Sequence, residues 1–199
     1  MTKRTLSDAQ QSIQRFIFEA RRCAEQELGF AALSTTFPAA LAVTEAVIKA
    51  IRASDASRRD ERITTKYLMK MFVPFIGDRA SWLITPSASI SDDELAIKLA
   101  DIRDSLAHQL SLPTDVFLTN TSSDIREASR ERPDKYVIST VEFINAVEKA
   151  LQHIIGKHPN VEFDREPRIK RAPANRVHLM RTSGSSGSSG SEITRPPSD

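Results

Sequence analysis

The stretch DIRDSLAHQLSLP, residues 101–113, contains the side chains of this sequence that are best suited to chemistry. Arg103 and His108 lie in it, and Asp104 directly follows the arginine. A histidine exchanges a proton near neutral pH, and a guanidinium binds phosphate oxygens strongly. The pair therefore suits acid–base chemistry on a phosphodiester, unless the two residues are only polar positions on a helix surface.

This stretch ends the best-defined predicted helix of the chain. Ser91 and Glu94 have the spacing of a capping box at its start, and Pro113 prevents the helix from continuing just beyond its end. On a regular helix His108 projects about 160° away from the apolar stripe, so it is not a core histidine. Asp104 is one turn earlier on the same face, close enough to accept a hydrogen bond from the imidazole and hold its tautomer.

Arg103 lies roughly 140° around the helix from His108. The two side chains cannot converge on one phosphate from a regular helix. Either the last turn opens, or a second subunit supplies one of the two residues. The spacing thus favours a homodimer.

Spacing alone is weak support, because Arg171 and His178 in the C-terminal region match the same pattern. The first pair differs from the second by its context: a capped amphipathic helix, an adjacent acidic residue and a proline just past the helix end. His153 and His158 are most simply surface residues.

The sequence Arg103-Asp104-Ser105-Leu106-Ala107-His108 resembles the R-x4-6-H motif of the HEPN superfamily, with Asp104 in the polar position after the arginine. The resemblance covers about residues 8 to 157. It implies a helical bundle and a metal-independent, homodimeric ribonuclease, often part of toxin–antitoxin or antiphage defence systems. It also implies that His108 takes the proton of a ribose 2′-hydroxyl and that Arg103 stabilises the phosphorane, with no metal ion or other cofactor.

Two other interpretations remain open. Many HEPN-like domains are noncatalytic, so the same face is also expected to suit a partner protein, such as a cognate antitoxin, or a nucleotide. Otherwise the chain is an unrelated helical structural protein and the motif is accidental. Arg126, Arg130 and Arg132 form a basic group that is either a solvated face or a guide for RNA.

The composition predicts an all-α fold, an up-and-down bundle of about five helices with a short β-prone excursion after the fourth. Hydrophobic residues make up 40% of 199 positions and recur at helical spacing, and glycines number only six. The first helix is expected from Ser7 to Leu28, with Gly29 as its stop, and the second is expected to start near Thr36 or Pro38. The third is expected from Glu61 to Phe72 and the fourth from Ser91 to Leu110. The last helix is expected to start with a capping box from Ser139 to Glu142. A short extra helix is expected near Asp124 to Arg130.

The domain is expected to span residues 1–158, and residues 159–199 to form a basic, Pro/Ser/Gly-rich disordered tail. That tail holds SGSSGSSGS, a flexible-linker composition, while the formal net charge of the whole chain is only +2. The lone Cys23 and the polar N-terminus favour the cytoplasm. The apolar stretch from Phe30 to Ile48 is interrupted by polar residues, so it predicts a core helix and not a membrane span.

Overall fold

Six α-helices and several short strands make up the described part of the chain, residues 4–53, 62–87, 89–120 and 122–163 of a computed structural model. The helices are α1 (Leu6–Glu25), α2 (Gly29–Ala53), α3 (Thr65–Phe72), α4 (Asp92–His108), α5 (Ser122–Glu131) and α6 (Thr140–Lys157). The strands are β1 (Arg4–Thr5), β2 (Leu83–Ile84), β3 (Val116–Thr119), β4 (Tyr136–Ser139) and β5 (Glu162–Phe163), and a 3₁₀ turn spans Val73–Phe75. The predicted helical character is confirmed, but the fold is not all-α.

The main core lies where α1, α2 and α6 pack on one another, with α3 and α4 against α2. Each helix contributes apolar side chains at spacings of three or four residues, which places them on one face. Ile17 of α1, Val43 of α2 and Ile144 of α6 are almost fully buried in this core. Trp82, just before β2, packs against Phe143 with 5.0 Å between ring centroids and an angle of 59° between the ring planes. Trp82 is fully buried and thus belongs to the core itself.

The second helix begins earlier than the sequence predicts. Gly29 is the first residue of α2 and not the stop of α1, because Glu27 already takes the left-handed conformation, with φ of 60°. Pro38 lies in the interior of α2, where its missing N–H leaves the carbonyl of Ser34 without a helical donor. Burial of the turn before it, which includes Leu33 and Phe37, offsets this loss.

Within the described ranges, α2 is also the one helix long and apolar enough to cross a membrane by length and composition. Of its most apolar window, 61% is buried inside the structure. A buried window is the pattern expected of a core helix in a folded domain. This placement agrees with the core helix predicted for Phe30 to Ile48.

Two predicted capping boxes have different outcomes. The one at the start of α4 is confirmed: Ser91 Oγ accepts from the Glu94 N–H at 3.2 Å, and the Glu94 carboxylate accepts from the Ser91 N–H at 2.9 Å. The one at the start of α6 is wrong, because Ser139 makes no side-chain cap bond. Ser139 is the last residue of β4, and its hydroxyl is buried without a hydrogen-bond partner among the described residues.

A three-stranded sheet in the order β2-β4-β3 replaces the simple excursion that the sequence predicts. β3 confirms the β-prone run after α4, and α5 confirms the short helix, but β4 was not predicted. β3 and β4 pair in parallel, Phe117 opposite Val137, with α5 as the connection between them. Ile125 and Ala128 of α5 pack on Val137, so α5 covers the face of the sheet.

The ordered chain continues past the boundary predicted at residue 158. β5 pairs antiparallel with β1, Phe163 is buried, and the N–H of Leu6 donates to the carbonyl of Val161 at 2.9 Å. Residues 159–163 therefore belong to the domain. The predicted tail from residue 164 onward, with Arg171, His178 and the linker-like stretch, lies outside the described residues.

Candidate functional site

α4 carries all three residues of the predicted catalytic group. Its capping box fixes the N-terminus, and hydrogen bonds from the Ser91 N–H and hydroxyl hold the pKa of the Glu94 carboxyl below its usual range. Leu99, Ile102 and Leu106 are buried and anchor the inner face of the helix in the core. The outer face of α4 therefore belongs to a helix that is fixed both at its N-terminus and along its buried side.

His108 is the last residue of α4 and is exposed to solvent. The helix is regular up to this point, because the N–H of Gln109 still donates to the carbonyl of Ser105 at 2.8 Å. In the described part of the chain the imidazole has no hydrogen-bond partner. The last turn of α4 is therefore closed, and it does not bring Arg103 to His108 within one chain.

The structure gives Asp104 a different partner from the one that the sequence predicts. Its Oδ1 accepts from Nη1 of Arg103 at 2.6 Å, and the two side chains are 50% and 33% exposed, respectively. The long arginine side chain folds back to its neighbour, and a guanidinium is a stronger donor to a carboxylate than a neutral imidazole is. In this structure Asp104 thus orients the side chain of Arg103 and does not orient the imidazole of His108.

On the unbroken helix, Arg103 and His108 are about 140° apart around the axis and about 7.5 Å apart along it. Arg103 borders the buried face of α4, whereas His108 lies on the opposite, exposed face. Their functional groups point in different directions. One chain alone does not bring them to a common phosphate.

The surface around His108 is acidic. Asp101 and Asp104 lie seven and four residues before His108, on the same face of α4. Two carboxylates there oppose the approach of a phosphate, although salt screens exposed charges over about 10 Å. Of these two carboxylates, Asp104 is paired with Arg103.

Leu110 follows this face at the end of α4. Its side chain is 86% exposed, and its φ of 52° lies in the left-handed region that a leucine rarely occupies. The backbone conformation projects an apolar side chain into solvent next to His108. Such a side chain suits contact with another molecule.

The three arginines predicted to guide RNA lie on and just after α5. Arg126 and Arg130 are exposed and one turn apart, so they share a face of the helix. Arg132 is half-buried, with its guanidinium carbon 3.9 Å from the centre of the Phe117 ring and a hydrogen bond to Glu131. Arg132 is engaged in packing, which leaves Arg126 and Arg130 as the exposed cations of this group.

Among the described residues, no three His, Cys, Asp or Glu side chains are grouped so that they could hold a metal ion. The chain matches no family model, no curated protein and no solved structure. A function is therefore inferred from the geometry of α4 together with the resemblance of its motif.

One set of polar residues was not predicted as a site. Glu142, Lys149 and His153 line a groove of about 540 Å³ between α6 and the segment before β2. The two walls come from parts of the sequence some 70 residues apart, so no local motif marks them. Only their shared spacing on one face of α6 is visible in the sequence.

Proposed function

We propose that this chain is a metal-independent RNA endonuclease of the HEPN type, acting as a homodimer in the cytoplasm. The observation that carries the proposal is the position of His108, exposed on the last turn of a buttressed helix and preceded by Arg103 in an R-x4-H motif. Because one helix holds the two side chains apart, the working site combines Arg103 of one copy with His108 of the other.

In the proposed reaction His108 accepts the proton of a ribose 2′-hydroxyl. The 2′-oxygen then forms a bond to the adjacent phosphorus, while the bond from phosphorus to the leaving 5′-oxygen breaks. The leaving oxygen takes a proton from water, the protonated His108 returns its proton to the hydroxide so formed, and the products are a cyclic phosphate end and a 5′-hydroxyl end. General base action of this kind contributes about 10² to 10⁴ in rate.

Arg103 has the complementary role of stabilising negative charge on the phosphorane. A positioned guanidinium donates hydrogen bonds to equatorial oxygens as charge develops on them. Asp104 is a positioning residue, because it holds Arg103 through the 2.6 Å bond until a substrate phosphate replaces it. Arg126 and Arg130 are proposed to attract the RNA backbone.

The second copy is proposed to dock at the end of α4. Leu110 supplies the apolar contact beside His108, since it is the most exposed of the large hydrophobic side chains in the described ranges. A cognate antitoxin or another protein partner that masks this end would block the site. Regulation of a toxin or defence nuclease by such a partner is part of this proposal.

A noncatalytic interaction domain is the second candidate. Asp104 neutralises Arg103 and Asp101 adds a negative charge to the same end of α4. A face with a projecting leucine and paired charges also suits a protein partner, or a nucleotide, without any cleavage. A structural role with no function at Arg103 and His108 is the third interpretation.

Cleavage of structured RNAs in EDTA tests the proposal. Wild-type protein is expected to cut and to leave cyclic phosphate ends, and both His108→Ala and Arg103→Ala are expected to lose at least about 100-fold in rate. Arg15→Ala and His158→Ala serve as matched controls outside α4 and are expected to cut normally. Cleavage that survives both α4 substitutions, or cleavage that stops in EDTA, contradicts the proposed site.

A further inference from the structure

The groove beside α6 has two walls of different origin. One wall is the outer face of α6, and the other is the segment from the 3₁₀ turn to Ser81. Ile76 and Ala146 are buried at the base, so the base is apolar. Charged side chains rise on both sides of it, which makes the groove a cleft of mixed character and not an apolar surface.

The charges are separated along the groove. Glu142 and Lys149 are seven residues apart on one face of α6, a distance of about 10 Å along the helix axis. His153 lies one turn beyond Lys149 and contacts the Phe75 ring, with 5.8 Å between ring centroids. The groove therefore has an acidic end at Glu142 and a cationic end at Lys149, with an aromatic ring beside the cationic end.

Hydrogen bonds organise the acidic end. Nη2 of Arg21 donates to Oδ1 of Asn145 at 2.9 Å, and Nδ2 of Asn145 donates to Oε2 of Glu142 at 3.4 Å. Asp78, on the opposite wall, accepts from the N–H of Ala80 at 3.0 Å. Both carboxylates are held in place by their neighbours, and each keeps a further oxygen for a ligand.

The cationic end keeps its donors available. In the described ranges Lys149 has no ion pair, although Glu148 beside it is bound by Arg21. The two charged ends are thus not neutralised by one another within the chain. A ligand with a positive and a negative group about 10 Å apart complements both ends.

We propose that this groove binds a short extended peptide with free termini, about three residues long. Extended chain spans about 3.3–3.6 Å per residue, so three residues match the separation of the two ends. The peptide ammonium lies at Glu142, the carboxylate at Lys149 and His153, and an apolar C-terminal side chain against Phe75. The proposal does not depend on Arg103 or His108, so it stands or falls apart from the proposed nuclease.

Calorimetric titration of the full chain with alanyl-alanyl-phenylalanine tests this assignment. The free tripeptide is expected to bind saturably at one site. N-acetylation or C-terminal amidation is expected to weaken binding about fivefold each, because each removes one charge pair. Alanyl-phenylalanine is expected to bind about fivefold more weakly, since two residues do not reach both ends.

Variants connect each peptide terminus to one end of the groove. Lys149→Gln is expected to weaken binding of the free tripeptide about fivefold and to leave binding of the amidated tripeptide unchanged. Glu142→Gln is likewise expected to weaken binding of the free tripeptide about fivefold and to leave binding of the acetylated tripeptide unchanged. Lys66→Gln, an exposed lysine of α3, is the matched control and leaves every peptide unchanged. Absence of saturable binding by wild type, equal binding of capped and free peptides, or equal losses in Lys66→Gln and Lys149→Gln overturns the proposal. RNA cleavage is expected to be the same in all these variants.

Discussion

Arg103 donates a hydrogen bond to the carboxylate of Asp104, with 2.6 Å between Nη1 and Oδ1. The bond joins neighbouring residues at the surface of α4 and compensates the charge of the guanidinium. A substrate phosphate must compete with Asp104 for this cation. In the proposed nuclease, the strength of the pair between Arg103 and Asp104 sets part of the affinity for RNA.

Asp104→Asn is expected to increase RNA affinity about two- to fivefold at low salt. The substitution releases Arg103 and removes one negative charge near His108, effects of the size measured for exposed ion pairs. Fluorescence anisotropy measures the binding, in a His108→Ala background that prevents cleavage. The gain is expected to shrink between about 50 mM and about 200 mM salt.

Asp101→Asn is the matched control for charge. It removes one carboxylate from the same face but leaves the pair between Arg103 and Asp104 intact. If Asp101→Asn increases RNA affinity as much as Asp104→Asn does, the result contradicts a specific effect of the bond between Asp104 and Arg103. The effect is then one of net charge alone.

The predicted helix α4 was confirmed because its signals are local. A capping box and an apolar stripe act within a few residues of one another, and their physics does not depend on the rest of the fold. The end of the helix was predicted at Leu110 and lies at His108, because Leu110 itself takes the left-handed conformation. Local chemistry thus placed the motif on the right element.

β4 could not be predicted in the same way. The residues YVIS form a strand because β3 lies beside them, and that partner is separated from them by the whole of α5. Ser139 matched the spacing of a capping box, but it is the last residue of β4, and its side chain is buried and makes no cap bond. The partner of Asp104 was missed for a related reason: sequence spacing brings two side chains within reach and does not decide which pair forms.

Mixing two inactive variants tests the composite site. In a dimer of Arg103→Ala with His108→Ala, the intact Arg103 and the intact His108 meet at one of the two sites. If subunits exchange freely, half of the dimers are mixed and each has one working site, so about a quarter of wild-type activity is expected to return. Cleavage rates before and after co-refolding measure the recovery.

The double variant supplies the control for this recovery. A chain carrying both Arg103→Ala and His108→Ala, mixed with either single variant, has no complete composite site and is expected to stay inactive. Recovery with the double variant, or none with the two singles in a proven mixed dimer, is inconsistent with residues contributed by two chains.

The capping box of α4 predicts a pH-dependent contribution to stability. The pKa of Glu94 is lowered, first by the hydrogen bond from the Ser91 N–H and then by that from its hydroxyl. A carboxyl with a lowered folded-state pKa stabilises the protein above its unfolded pKa, and this contribution is lost as the pH falls through the folded pKa. Glu94→Gln is therefore expected to be less stable than wild type at pH 7, and the two should converge at acidic pH.

Urea unfolding at several pH values measures this difference. Glu127→Gln, an exposed carboxylate of α5 with no such cap, is the control and is expected to follow wild type. Ser91→Ala is expected to cost about 1 kcal/mol of unfolding free energy, as the loss of an N-cap hydroxyl typically does. A Glu94→Gln deficit that is the same at pH 7 and in acid argues against a role for the ionised carboxylate.

Leu110 links the stability of the single chain to assembly. Its φ of 52° disfavours leucine and suits glycine, so Leu110→Gly is expected to raise the unfolding free energy of the isolated chain by up to about 1 kcal/mol. The same substitution removes the apolar contact proposed for the second copy, and the dimer is expected to weaken at least about tenfold, which corresponds to burial of one leucine side chain. Urea unfolding and sedimentation velocity separate the two effects.

Two further variants control for this prediction. Leu110→Asn also tolerates the left-handed backbone and is expected to weaken the dimer likewise, whereas Phe18→Ala, which changes an exposed apolar residue of α1, is expected to leave the dimer unchanged. A dimer that is unaffected by both Leu110 substitutions places the interface elsewhere, because a leucine projecting this far from the surface beside His108 cannot lie in the interface without contributing to it.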